Sequence, residues 1–362
     1  MNEFRRRLLR IAAAAPLCPG ISIAAEPRPR APRALGYVPW WMAEAWRDMP
    51  LAQIDRLVLF ELVAQGDGRV KDNDWPARAR EIAAHARERR VSLDVALTVQ
   101  GERLFNEIFR DSNARRALAE QCERWLDQSF VRGLQLDVEG YAAADKGAIA
   151  AFRDWLAAID AYRKKAQKGL SAFFPADDHF TPYDATGAAR IDHWVAQIYD
   201  AHSASAGNTG PLVTRSRDNE VGIGRALARL ERLRIPRSAV LLSVPLYGWE
   251  WRAAGGSPGA KTMGEGKLLT YAETPARLMP DDRKVATDLA RQHGLRRDGE
   301  HTPYYSYAEG GAWVQGWYED MESLTRKLAP ERGRGYGLAF FPLGYDRNAI
   351  VEPLIRWWHT PG

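Results

Sequence analysis

Residues 130–141 read Phe130-Val131-Arg132-Gly133-Leu134-Gln135-Leu136-Asp137-Val138-Glu139-Gly140-Tyr141, and their alternation decides the fold class. Gln135, Asp137 and Glu139 share one parity, while Leu134, Leu136 and Val138 share the other. Successive side chains of a strand point to opposite faces, so this is a strand with one apolar and one polar face. Outward from it, short apolar runs recur at 34–39, 56–62, 91–98, 169–174, 193–199, 239–246 and 335–341. Helical periodicity lies between several of them, at 76–90, 113–128, 146–165, 218–233, 320–329 and 346–358. Asp111, Ser112 and Asn113 are all suitable caps for the second of these helices. Eight strands alternating with helices predict an α/β chain folded as a (β/α)8 TIM barrel. A doubly wound open sheet is the alternative.

In such a barrel the leucines of 134–138 would face the helices and the acids the interior. An inward carboxylate is costly unless it is hydrogen-bonded or working, and residues at the C-terminal ends of barrel strands are usually catalytic. Asp137 and Glu139, two positions apart on one face, have Cα atoms roughly 6–7 Å apart, so their heads can meet. A shared proton would raise one pKa and let Glu139 serve as a general acid. The competing reading is a strand end whose acids face solvent.

The chain has 362 residues, 46% of them hydrophobic and 27% charged. That is enough for a large core and excludes a globally disordered chain. No stretch reaches ~18 uninterrupted apolar residues, which excludes a polytopic membrane protein. Residues 1–25 place Arg5, Arg6, Arg7 and Arg10 before a mildly apolar run ending in small residues. This is the pattern of an export signal peptide of twin-arginine type, and it predicts a periplasmic or secreted protein. A frayed basic tail is the alternative. Cys18 would suit lipidation only with a small residue before it, and Leu17 and Pro16 stand there. The segment's net +3 accounts for more than half of the chain's +5, so the charge does not point to a nucleic-acid partner, and no stable membrane insertion is expected after its removal. Cys122, on a stripe with Leu118 and Leu126, is expected to be a buried packing residue.

Residues 26–32 form a Pro/Arg linker, and 33–251 with 313–358 make up the expected barrel. The long stretch 252–312, with a short helix near 281–294, is expected to be an insertion between the seventh and eighth strands. Its Gly259-Ala260-Lys261-Thr262 lacks the spacing and the leading strand of a phosphate loop. Asp177, Asp178 and His179 could imitate a metal site, but one His beside two loop acids is weak support. No metal and no cofactor are expected. Metalloprotease, zinc-ribbon, serine-hydrolase and dinucleotide motifs are absent.

The fourth-strand stretch resembles the D-G-x-D-x-D-x-E signature of glycoside hydrolase family 18, the chitinase-like barrels, with Asp137 and Glu139 on its last two acids. Gly36-Tyr37 is similar to the family's first strand. Gln197-Ile198-Tyr199-Asp200 is similar to its sixth, and Val244-Pro245-Leu246-Tyr247-Gly248 to its seventh. Tyr271-Ala272-Glu273, Pro303-Tyr304 and Tyr318-Glu319-Asp320 resemble pieces of the chitinase insertion and of the segment after it. The resemblance implies a retaining, substrate-assisted glycosidase acting on a β-linked N-acetylhexosamine polymer such as chitin, peptidoglycan or an exopolysaccharide. Glu139 would be the acid/base, Asp137 would stabilise the substrate's acetamido group, and Tyr199 would hydrogen-bond it. Tyr37 and Asp200 would shape the sugar subsite, with Gln135, Gln197 and Tyr247 beside it and Phe341 as an apolar floor; Trp40 and Trp41 after the first strand and Trp249 and Trp251 after the seventh could supply faces for sugar rings, with core packing as the alternative. Two residues depart from the signature. Arg132 stands at the first Asp and Gln135 at the middle one, which passes its neighbour's proton between partners; a Gln could donate to Asp137 but not take its proton. Thr98-Val99-Gln100-Gly101 lacks the third-strand S-x-G-G, and Phe341 stands for a Trp. A catalytically weak or inactive chitinase-like carbohydrate-binding protein is the alternative. A glycosidase for sugars without N-acetyl groups, with Asp200 or Glu61 as nucleophile, is a third reading.

Overall fold

A computed structural model describes residues 33–49, 51–139, 145–175, 182–216, 221–274 and 284–360. Residues 1–25, where an export signal is expected, residues 26–32, and Asp177, Asp178 and His179 lie outside the described residues. Eight parallel strands close into a barrel: Ala34–Pro39, Arg56–Ala64, Ser92–Gln100, Gly133–Glu139, Gly169–Phe174, His193–Gln197, Val240–Pro245 and Gly337–Phe341. The first strand pairs with both the second and the eighth, which seals the ring. The chain is therefore a (β/α)8 barrel and not an open sheet. Each strand is buried on both faces, by core side chains inside and helices outside, which is why the strands read as near-continuous apolar runs.

Helices Trp75–Glu88, Ser112–Leu126 and Lys146–Lys165 lie close to the periodic segments. Asp111 supplies the cap of the second, its carboxylate accepting from the amides of Asn113 at 2.7 Å and Ala114 at 3.3 Å. Cys122 is 2% exposed on that helix, and burial pushes its thiol pKa up. Two features depart from the periodicity. A helix at Glu102–Arg110, with Phe105, Ile108 and Phe109 buried, precedes the Asp111-capped one. The last helix begins only at Val351, because Arg347 and Asn348 sit at φ 46° and 64°, a left-handed backbone that no helix continues through. Asp346 then accepts from the amides of Ile350 and Val351. Among the described residues no helix is long and apolar enough to cross a membrane.

Between the seventh and eighth barrel strands stands a second, six-stranded sheet, in the order 284–285, 267–270, 247–253, 312–318, 303–309 and 296–297. Its strands reach beyond 252–312 on both sides, since Tyr247–Ala253 and Ala312–Tyr318 pair with each other antiparallel. The packing against Ala286–His293 gives it a small core of its own. The sheet is tied to the barrel by a buried ion pair. Lys327, 2% exposed, donates to both Glu319 oxygens at 2.9 Å, to the Val213 carbonyl at 2.7 Å and to Thr302 Oγ1 at 2.7 Å. Glu319 also accepts from the Val213 amide and the Ser323 hydroxyl. Removing one partner of such a pair strands the other charge. Lys327→Met is therefore expected to destabilise the fold by about 3–5 kcal/mol, read as a lower midpoint of guanidinium unfolding.

Candidate active site

The C-terminal ends of the barrel strands bring the acidic pair together. Register places Thr98 opposite Asp137 and Gln100 opposite Glu139, so the third strand presents its alternating residues beside the acids. Asp137 is 4% exposed, while Glu139, one turn of the pleat nearer the rim, is partly exposed. Their carboxyls are hydrogen-bonded to each other; burial first, and then the Glu139 charge, hold the Asp137 pKa well above the usual carboxylate range. Asp137 Oδ1 has no partner among the described residues. The heads thus meet, and the outer one opens to solvent.

An aromatic floor surrounds the pair. Phe341, at the end of the eighth strand, lies edge-on to Phe60 with ring centroids 5.1 Å apart, to Tyr37 at 5.6 Å and to Trp41 at 6.4 Å, and parallel to Tyr199 at 6.5 Å. Burial raises the pKa of Tyr37, Tyr199 and Tyr247 well above the phenol range, with neighbouring carboxylates adding to it. All three stay neutral at physiological pH and keep a hydroxyl proton to donate. The Tyr37 hydroxyl is buried beside the Gln135 side chain and close to the Asp137 charge.

Asp200 follows the sixth strand at φ 66°. Both its oxygens accept from the Tyr247 hydroxyl at 2.8 Å, and one accepts from the Trp249 indole at 3.2 Å. Trp249 is half-buried, and so is Gln197 at the end of the sixth strand. Trp251 turns its indole to the Ala204 carbonyl and is fully buried, so it offers no face to a ligand. Trp40, half-buried, meets Trp41 edge-on at 5.6 Å. It is Trp41, held by its indole to the Tyr345 hydroxyl at 3.0 Å, that joins the floor.

Gln135 is fully buried, and its amide donates to Ser171 Oγ at 3.4 Å, with its carbonyl oxygen unpartnered. The amide is thus directed to the fifth strand and not to Asp137, where sequence reasoning aims it. Arg132 is exposed at the N-terminal foot of the fourth strand, the opposite end from the acids, so its substitution does not touch the pair. Two neighbours were missed from sequence. Gln100 donates to Glu139 Oε1 at 3.4 Å; its parity with Thr98 on the third strand was a usable signal. Phe60 carried none, since it sits in an irregular stretch of strand. Among the described residues no three His, Cys, Asp or Glu side chains group to hold a metal.

A closed βα barrel with a hydrogen-bonded acid pair under an aromatic floor at its C-terminal mouth has the plan of a carbohydrate-processing barrel. The chain belongs to family 18 of the glycosyl hydrolases, whose family model matches residues 33–346. Its fold is shared with the Group IV chitinase of Ostrinia furnacalis, solved in complex with allosamidin, at 14% identity and TM-score 0.74, covering 91% of this chain and 100% of that one. The spore cortex-lytic enzyme SleL of Bacillus cereus is 18% identical with TM-score 0.63, over 89% of this chain and 74% of that one. The chitinase-like agglutinin of Robinia pseudoacacia is 18% identical with TM-score 0.73, over 91% and 100%. No curated protein matches by sequence.

Proposed function

We propose that the protein hydrolyses a β-linked N-acetylhexosamine polymer (chitin, peptidoglycan or an exopolysaccharide) with retention and with the substrate's acetamido group as nucleophile. The observation that carries this reading is the Asp137–Glu139 contact, a buried carboxyl bonded to a partly exposed one. Glu139 gives its proton to the glycosidic oxygen as the C1–O bond breaks. The acetamido carbonyl oxygen forms the new bond to C1, giving an oxazolinium ion. The pair holds one proton between its two carboxyls; once that proton has left through Glu139, Asp137 is a carboxylate and stabilises the cation through the amide N–H. Tyr199, kept as a neutral phenol, donates to the same group. Water then attacks C1 as Glu139 takes its proton, which restores both partners.

Tyr37, Gln197, Asp200 and Tyr247 line the polar side of the subsite with Gln135 buried beside Tyr37, and Trp41, Trp249 and Phe341 form its apolar faces, with Trp40 packed against Trp41. The export pattern of residues 1–25 puts this work in the periplasm or outside the cell. The test is release of methylumbelliferone from fluorogenic N-acetylglucosamine oligomers by purified protein, and turnover is the expected result. Binding of the oligomers without release, equal in the wild type and in Glu139→Gln, would instead support a carbohydrate-binding protein, the kind of activity its agglutinin relative's name carries.

A further inference from the structure

The second barrel strand is irregular where it reaches the mouth. Leu59 pairs with Val95 but Leu62 with Leu97, so Phe60 and Glu61 together face Ala96. A bulge of this kind turns side chains that regular alternation would send outward. Phe60 lies on the aromatic floor against Tyr37, Trp41 and Phe341. Glu61, half-buried beside it, sets its carboxyl next to the Thr98 hydroxyl, and Thr98 is the direct neighbour of Asp137 across the third and fourth strands. Glu61 on the second strand therefore stands one strand away from the Asp137–Glu139 pair on the fourth, with Thr98 on the strand between them.

We propose that Glu61 is a positioning residue of this site, a third carboxylate that sets how tightly the Asp137–Glu139 pair holds its proton. The proposal rests on the reading of that pair as the reacting carboxyls. The reason is electrostatic. Gln135 carries no charge and spends its amide on Ser171, so the fourth strand itself supplies no acid beneath Asp137. Glu61 supplies one from the side, and a like charge in a desolvated site disfavours the second ionisation. Its charge is among those that raise the Asp137 pKa.

The groups around Glu61 are few. On the third strand its carboxyl meets the Thr98 hydroxyl, and on the fourth Asp137, itself bonded to Glu139, feels its charge. On helix Trp75–Glu88, Arg78 is bonded to the Trp40 and Asn73 carbonyls. Asn73 in turn donates to the Glu61 backbone carbonyl at 3.1 Å, which holds the bulge from outside. Glu61 touches no reacting atom; it acts through Asp137.

The test uses the full chain with Glu61→Gln and Glu61→Ala, which remove the same charge, and Glu61→Asp, which keeps it. In the pH dependence of kcat on a methylumbelliferyl N,N′-diacetylchitobioside, the alkaline limb of both neutral variants should move down by roughly 0.5–1 pH unit, the size of one like charge at a partly screened site. KM should stay within about twofold, and Glu61→Asp should restore the wild-type limb. A limb that does not move, or a uniform loss at every pH in all three variants, overturns the proposal. Carbon-13 NMR titration of labelled aspartate and glutamate carboxyls reads the same proton without turnover. If the wild type releases no fluorophore, hydrolysis is what fails. The downward carboxyl shift on removing Glu61 then still supports the coupling, and its absence refutes it.

Discussion

Glu139→Gln should lower kcat by about 10³-fold or more while leaving the fold and oligomer affinity near those of the wild type. The amide keeps the volume of the carboxyl and can still meet Asp137 and Gln100, so the pocket keeps its shape. What it lacks is a proton to give to the leaving oxygen, and general acid catalysis of this kind contributes typically ~10²–10⁴-fold. The same group must accept a proton from water in the second half of the reaction, so a single substitution disables both steps. Single-turnover and steady-state release of a fluorogenic oligomer should fall together, and calorimetric binding of the unlabelled oligomer should persist. A variant that turns over at the wild-type rate would remove Glu139 from the mechanism.

The second large effect belongs to Asp137→Asn, and it divides between rate and stability. The loss of a carboxylate beside a developing cation should cost roughly 10²–10³-fold in kcat, as with other preorganised electrostatic groups, with KM changed by less than about threefold. Equal losses in rate and in ligand binding would count against a transition-state role. Stability should move the other way. The Asp137 pKa is raised by burial and by the Glu139 charge, so the folded protein binds this proton more tightly than the unfolded chain. Its favourable contribution is complete below the unfolded value of about 3.9. It is lost as pH rises through the folded value, and ionisation in the buried site costs stability above that. Asn does not titrate. Asp137→Asn should therefore unfold at a higher temperature than the wild type near neutral pH, with the advantage shrinking as the pH falls. Scanning calorimetry across that range measures it.

Both effects concern a strand whose role was legible from twelve residues. Alternation placed Asp137 and Glu139 on one face because a pleat repeats every two residues whatever surrounds it. Short apolar runs located the other barrel strands, and local capping chemistry marked the start of the helix after Asp111. Other parts failed for equally physical reasons. The helix Glu102–Arg110 was missed because it directly abuts the next one, and a break set by the extended backbone of Asp111 alone leaves little trace in periodicity. Gln135 was aimed at Asp137 because they share a face. Its amide instead goes sideways to Ser171, on a strand whose register no local pattern reports. Asp200 as a nucleophile looked open in sequence, yet Tyr247 and Trp249, some fifty residues on, occupy its oxygens.

From sequence alone came the eight-stranded barrel, the inward acid pair and the family resemblance, all consequences of short-range order along the chain. The tertiary structure decided the company that pair keeps. The bulge at Phe60 and Glu61, the meeting of Phe341 with Trp41, and the pairing of Tyr247–Ala253 with Ala312–Tyr318 each join residues far apart in the chain. Their geometry comes from how neighbouring strands align and how rings pack when the barrel closes. Those are long-range choices among many that local propensity permits equally well.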